Sequence, residues 1–478
     1  RDKGKEEAIL IFGAGISGQL TKRLIEKDTA NLQHVIGFLD DAVSLHGKRI
    51  EGTRVYPPSA LEKLQAKHQI STLIIAVQNL ERIKLKEISE QALELGIQIK
   101  RVPEARAWVN GAFNVRSIKK IDINSLLGRP VIQVENPKME AHFLNKTILI
   151  TGAAGSIGSG LAAALIAQKA TQLILLDQAE SALFELEQRF QQLKTHTEIA
   201  YVIGDIYDAA RMQHLFETYR PQLVFHAAAY KHVPLMEANP AEAIRNNIGG
   251  TKIIAELSAL FKAEQFIMIS TDKAVNPTNV MGASKRIAEM LVTELNEQHH
   301  TAYITTRFGN VLGSNGSVIP VFEKQIAGGG PLTLTDAEIT RFFMTIPEAC
   351  QLVLEAATMG HGGEIFVFDM GAPVKILDLA KKMIQLSGLR PYTDIDIQIT
   401  GLRPGEKRYE EVLANAENTM PTYHPQILIA NTRPVAAPQR KMIDQLLATA
   451  AKQDNEGSVR LMKQLVPEYI SNNSLFEN

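Results

Sequence analysis

Thr271, Asp272 and Lys273 stand in a row at the end of an apolar run, QFIMIS. They bring a hydroxyl, a carboxylate and an amine to one place. A carboxyl held protonated is an acid, a neutral amine is a base, and a hydroxyl can pass a proton onward. Burial moves Asp up and Lys down, as those roles require; mutual attraction moves both the other way, so water exclusion matters. A plain strand-end ion pair is the bland alternative. The residues just downstream favour chemistry. Asn276-Pro277-Thr278 makes a turn, and NVMGASKRIAEMLV then starts a helical pattern. Met281 and Lys285 are four residues apart and share one face of that helix. Methionine has no proton to give, so this face either does no acid–base work or does it through other residues.

The elements that must position these residues are legible. Residues 8–20 (AILIFGAGISGQL) and 147–161 (TILITGAAGSIGSGL) both read as β-run, glycine turn and helix. That is the opening of a dinucleotide-type βαβ unit, occurring twice. In the second, Gly152, Gly155 and Gly158 allow a tight turn, a close pyrophosphate approach and close helix packing. The helix start, with Ser156 and Ile157, offers free N–H groups to phosphate. Asp177 ends the next strand, where a carboxylate can accept both ribose hydroxyls and would repel a 2′-phosphate, so NAD is favoured over NADP. Asp205, with Ile206 beside it, ends the third strand and either flanks adenine or merely caps a strand. Further strands are expected at 173–177, 199–205, 223–229, 265–271 and 302–311. The first unit carries Gly13, Gly15 and Gly18, then Asp40 and Asp41, with no acid–base pair on later strand ends.

The fold class is therefore α/β, with two Rossmann-like doubly wound parallel sheets and a smaller C-terminal substrate-binding lobe on the second. We expect a nucleotide-binding domain over 1–105, a connector over 106–143 and a catalytic domain over 144–435. Its lobe begins near 320, and a helical tail spans 436–478. The 478 residues suit two or three domains. With 51 basic and 52 acidic residues, the chain gives no sign of a nucleic-acid partner. A single Cys350 excludes an internal disulfide and a cysteine-built metal site, and no metal is expected. No signal peptide or membrane span is visible in the sequence.

The motifs in order resemble the nucleotide-sugar 4,6-dehydratases of the extended short-chain dehydrogenase/reductase superfamily. The matching pieces are TGAAGSIGS, LLDQAE, GDI, FHAAAYKHVPLMEANPAEAIRNNIGGT, STDKAVNPTNVMGASKR, RFGNVLGSNGSVIPVFEKQI, EITRFFMTIPEA and GLRPGEKRYEEV, covering roughly 147–413. More closely, the chain resembles enzymes acting on UDP-N-acetylglucosamine in bacterial polysaccharide and glycan biosynthesis, in their large membrane-associated branch. That branch also has Met where the superfamily has a Tyr working with the Lys. One departure is Gly160, where a Glu usually stands.

The resemblance implies oxidation at C4 of the sugar, loss of water across C5–C6 and return of the hydride to C6. It implies Asp272 as acid for the C6 hydroxyl, Lys273 as C5 base, Thr271 at the C4 hydroxyl and Lys285 on the nicotinamide ribose. Ala227, Ala228 and Ala229 would run along NAD, and Asn246 would begin a helix beside it. Lys231 and His232 would lie near the sugar, Asn310, Arg341 and Arg403 at the diphosphate, and Glu406 at the uridine ribose. Each arginine also fits a structural ion pair. It further implies membrane helices ahead of Arg1, a place at the cytoplasmic face of the inner membrane, and a homo-oligomer. A 4-epimerase, or a non-catalytic NAD-binding regulator, are the rival readings.

Overall fold

The computed structural model describes residues 7–27, 33–103, 119–120, 123, 136–410, 419–430 and 439–477. It divides into two units. The first comprises 1–130 with 321–334 and 377–398; the second comprises 131–320, 335–376 and 399–478. The residues expected to form one lobe beyond 320 are thus shared between both units. Of the expected connector, 106–118, 121–122 and 124–135 lie outside the described residues. Pro137–Phe143 is a helix capped by the Asn136 side chain, and Met139 and Phe143 enter the core of the second unit.

In the first unit the parallel strands are ordered Thr53–Tyr56, Gln33–Leu39, Glu7–Phe12, Thr72–Ile75 and Gln98–Arg101. Numbered along the chain this is 3-2-1-4-5. The central strands Glu7–Phe12 and Thr72–Ile75 are short apolar runs buried over most of their length, the pattern a parallel sheet covered by helices requires, while the outer strands TRVY and QIKR are only partly buried. Asp40, just past the second strand, accepts from the N–H groups of Ala14 and Ala42 at 2.7 and 2.8 Å.

The second unit holds a nine-stranded sheet. Its first six strands are Glu198–Ile203, Gln172–Asp177, Thr147–Thr151, Leu223–His226, Gln265–Thr271 and Ala302–Phe308. They pair in parallel in the order 3-2-1-4-5-6. Ile365–Phe368 extends the parallel run, and Ile427–Ala430 and Thr419–Pro421 close the edge antiparallel. This order reverses beside Thr147–Thr151, and ligands of such sheets bind at the carboxyl ends near that reversal. Two apolar clusters cover the sheet's faces, one including Met268, Met281 and Ile287, the other Ile150, Ile267 and Phe366. The helices Arg440–Ala451 and Asn455–Leu465 of the tail bury Ile443, Leu446, Val459 and Met462 in the first cluster. Among the described residues no helix is long and apolar enough to cross a membrane.

Candidate active site

The glycine loop Gly152–Gly155 leads into the helix Ser156–Ala167. Gly152 has φ +65°, and a Cβ there would lie 2.7 Å from the backbone of Ala228. The loop and the run Ala227–Ala229 are therefore pressed together, with Ala227 and Ala228 donating to Thr151. A Cβ on Gly158 would sit 2.1 Å from the Gly152 carbonyl oxygen, so the helix can approach the strand only through glycine. Asp177 accepts from the N–H groups of Ala154 and Ala179, both at 2.9 Å, which fixes its carboxylate beside the loop. Ser156 accepts from the N–H of Asn315, and Ile157 packs partly buried on the core. Asp205 is tied to Arg245 at 3.2 Å, and Ile206 is buried against Gly250.

Asn246 does not begin a helix. It lies inside a π-helical stretch, Ile244–Gly250, that continues directly into Thr251–Leu260. Its amide donates to Asn247, which is fully buried and bonds both backbone groups of Tyr230 and the hydroxyl of Ser284. A π-turn sets such a side chain off the regular helical face.

Thr271 ends its strand and caps the short turn Asp272–Ala274. Its hydroxyl donates to Asp272 Oδ1 at 2.8 Å. Asp272 is 5% exposed, and its Oδ2 is buried with no hydrogen-bond partner. Burial, aided by the Glu410 carboxylate and opposed by Lys273, holds the Asp272 carboxyl above its ordinary value. That suits an acid. Lys273 departs from expectation. Burial would lower it, but Asp272 and Glu410 outweigh burial and hold the ammonium above the usual lysine range. In this state it is a cation and no base.

The helix Val280–Gln298 starts at Asn279, whose side chain accepts from the N–H of Gly282 at 2.8 Å. A Cβ on Gly282 would meet the Lys273 carbonyl oxygen at 2.2 Å, so this helix lies directly on the catalytic turn. Met281 is 3% exposed and belongs to the apolar core. Lys285, one turn on, is buried with no hydrogen bond or ion pair of its own among the described residues, and burial pushes it down to about 8. The glycine cradle, the oriented Asp177 and a buried lysine lacking a partner fit a dinucleotide: phosphate at the loop, one ribose at Asp177, the other at Lys285.

A cavity of about 200 Å³ opens beside the catalytic turn. Lys231, His232, Asn310, Arg341, Arg403 and Glu406 all line it, together with Lys273. Burial lowers both Lys231 and His232, with nearby cations adding to the effect on His232. Asn310 accepts from Lys273 Nζ at 3.3 Å. Arg341 and Arg403 converge on Glu406 at 3.7 and 3.2 Å. Arg341 also donates to the carbonyls of Thr340, Lys407 and Arg408. Two residues escaped the sequence reading. Glu410 bridges Lys273 and Arg341 from within the cavity. Asn279 also donates to Gly405 O at 3.1 Å, joining the catalytic helix to the RPGE loop; its N-x-x-Gly spacing before a helix was the available signal.

The tail completes the site. The N–H groups of Ile470 and Asn472 donate to Pro277 O and Thr278 O, both at 3.1 Å. Asn472 O accepts from Gly405, and the Asn473 amide donates to Leu402 O. Ser474 donates to Glu237, whose other oxygen accepts from the first N–H of the catalytic helix.

A dinucleotide cradle and an acid–lysine turn on one 3-2-1-4-5-6 sheet define an extended short-chain dehydrogenase/reductase. The chain belongs to the polysaccharide biosynthesis protein family, whose model matches residues 148–432. It is 42% identical over 426 residues to the capsular polysaccharide biosynthesis protein CapD of Staphylococcus aureus, covering 88% of this chain and 70% of that one. A UDP-glucose 4-epimerase of Rickettsia bellii is 35% identical over 58% of this chain and 80% of its own. The inverting UDP-N-acetylglucosamine 4,6-dehydratase of Campylobacter jejuni is 34% identical, over 63% of this chain and 86% of its own. The chain is an enzyme of the nucleotide-sugar dehydratase/epimerase kind.

Proposed function

We propose that this chain dehydrates UDP-N-acetylglucosamine to a UDP-4-keto-6-deoxy sugar, with NAD as cofactor, for bacterial surface polysaccharide or glycan synthesis. The observation that carries this reading is the buried Oδ2 of Asp272, without a hydrogen-bond partner among the described residues, in the residue next to the cavity-lining Lys273. Burial moves this carboxyl above its ordinary range, toward the protonated form that C6–O cleavage needs. NAD, when bound, supplies the hydride acceptor for C4 and the donor for C6. Lys285 holds the nicotinamide ribose. Thr271, bonded to Asp272, hydrogen-bonds the C4 hydroxyl and passes its proton out through water as the hydride leaves. Lys273 takes the C5 proton once it has lost one of its own. Arg341 and Arg403 receive the diphosphate. Attachment to the cytoplasmic face of the inner membrane and homo-oligomerisation belong to the same proposal.

The epimerase relative favours a second reading, in which only C4 changes. An epimerase has no use for an acid at C6, which weighs against it. The test is incubation with UDP-N-acetylglucosamine in deuterated water and then NMR. The dehydratase reading expects a C6 methyl signal with deuterium at C5. A product altered only at C4 supports the epimerase, and an unchanged sugar sinks both.

A further inference from the structure

Glu410 touches both ends of the cavity. Its Oε1 lies 3.0 Å from Lys273 Nζ and 3.3 Å from Arg341 Nε, and its side chain is 6% exposed. The Lys273 ammonium has three N–H donors. It faces three acceptors: Asp272 Oδ1 at 3.0 Å, Glu410 Oε1 at 3.0 Å and Asn310 Oδ1 at 3.3 Å. Held so, it has no lone pair for a C–H proton. Arg341, on the other side, is shared between Glu410 and Glu406. A diphosphate arriving at Arg341 therefore competes with Glu410 for the same guanidinium.

We propose that Glu410 is a positioning residue that couples diphosphate recognition to the base: when the substrate's diphosphate draws Arg341 away, Glu410 accepts a proton from Lys273 and leaves it a neutral amine. This rests on the dehydratase reading above. One Lys273 N–H bond breaks and one Glu410 O–H bond forms. The amine then takes the C5 proton and, after its N–H groups exchange with solvent, returns one proton to C5 as hydride reaches C6. When product leaves and Arg341 pairs with Glu410 again, the proton goes back from Glu410 to Lys273. Nothing is oxidised in the relay, and no proton is gained or lost by it.

The variant is E410Q, which keeps shape and removes the charge. Calorimetric titration with UDP comes first. Loss of the competing carboxylate should tighten UDP binding by about threefold or more. Turnover of UDP-N-acetylglucosamine should fall by about tenfold or more in kcat, with KM unchanged or lower. Part of that loss should return at alkaline pH, where solvent takes the Lys273 proton. A merely structural Glu410 would instead weaken UDP binding. UDP affinity unchanged or weaker, or kcat within about threefold of wild type, overturns the proposal. If E410Q does not fold, E410D holds the charge one methylene back. It should bind UDP yet lose about tenfold in kcat, and full activity there overturns the proposal equally. If the wild-type chain makes no keto sugar, the dehydratase reading fails, while the UDP titration still decides whether Glu410 competes for Arg341.

Discussion

Lys285 is a buried ammonium that folding alone gives no reason to keep. Its folded pKa, about 8, lies below the ordinary 10.5. Between those values the unfolded chain binds more protons than the folded one, so stability rises with pH across that window. Lys285→Met should stabilise the cofactor-free protein at pH 7 by on the order of 1–3 kcal/mol, with the gain shrinking above pH 8. Thermal melts of both proteins across that pH range check it; a destabilised Met variant would refute the assignment. Turnover should be lost in the same variant. Thr271 offers a second test. Thr271→Val removes the hydroxyl bonded to Asp272 and should lower kcat by about tenfold or more, while Met281→Tyr should bring no large gain. The residues themselves stood out by type and order, and the resemblance supplied the roles proposed for them. The direction of Lys273 was not, because it depends on Glu410, far away along the chain and brought near only by folding.

The helix Val280–Gln298 shows how one element serves several tasks. Its cap, Asn279, starts the helix and ties the RPGE loop to it. Asn279→Ala should cost about 1–2 kcal/mol in stability. It should also raise KM for the nucleotide sugar more than it lowers kcat, since the loop and not the catalytic turn loses its anchor. Steady-state kinetics with a denaturation curve separate the two effects. The sequence revealed this helix through its turn and periodicity, and both glycine-loop helices through their spacing. It did not reveal the π-helical stretch, because Ile-Arg-Asn-Asn-Ile-Gly-Gly has no composition that distinguishes π from α. Gly160 is a different lesson. The usual Glu there cannot be accommodated, as even a Cβ would lie 2.7 Å from both Cys350 Sγ and Ile346 Cγ2. Gly160 thus lets its helix meet Ile346 and Cys350 of the helix Ile346–Met359.

For the whole molecule, the parallel order of both sheets could be read from alternating runs and glycine turns. The composition of the two units could not. Segments 321–334 and 377–398 join the first unit across long separations, and no local signal marks such a return. The tail hid its purpose in the same way. Its helices bury apolar side chains, as their patterns foretell, but Ile470 and Asn472 act through backbone groups, which every sequence possesses, and Asn473 and Ser474 through side chains with no local pattern. Removing residues 470–478 should leave the sheet folded, with a far-ultraviolet spectrum near wild type. It should raise KM for the nucleotide sugar by about tenfold, because Thr278, Gly405 and Glu237 lose their partners. An unaltered KM would show that the strap holds nothing that substrate needs.

That strap has a consequence for the order of events during synthesis. Glu237 and Ser474 lie 237 residues apart. On a ribosome the glycine loop, the acid and both lysines emerge and can fold long before the backbone that pins the neighbouring loops arrives. A nascent or prematurely released chain would therefore own every reactive group before the loops that receive the nucleotide sugar are pinned. It would reach full substrate affinity only when translation has run nearly to the strap.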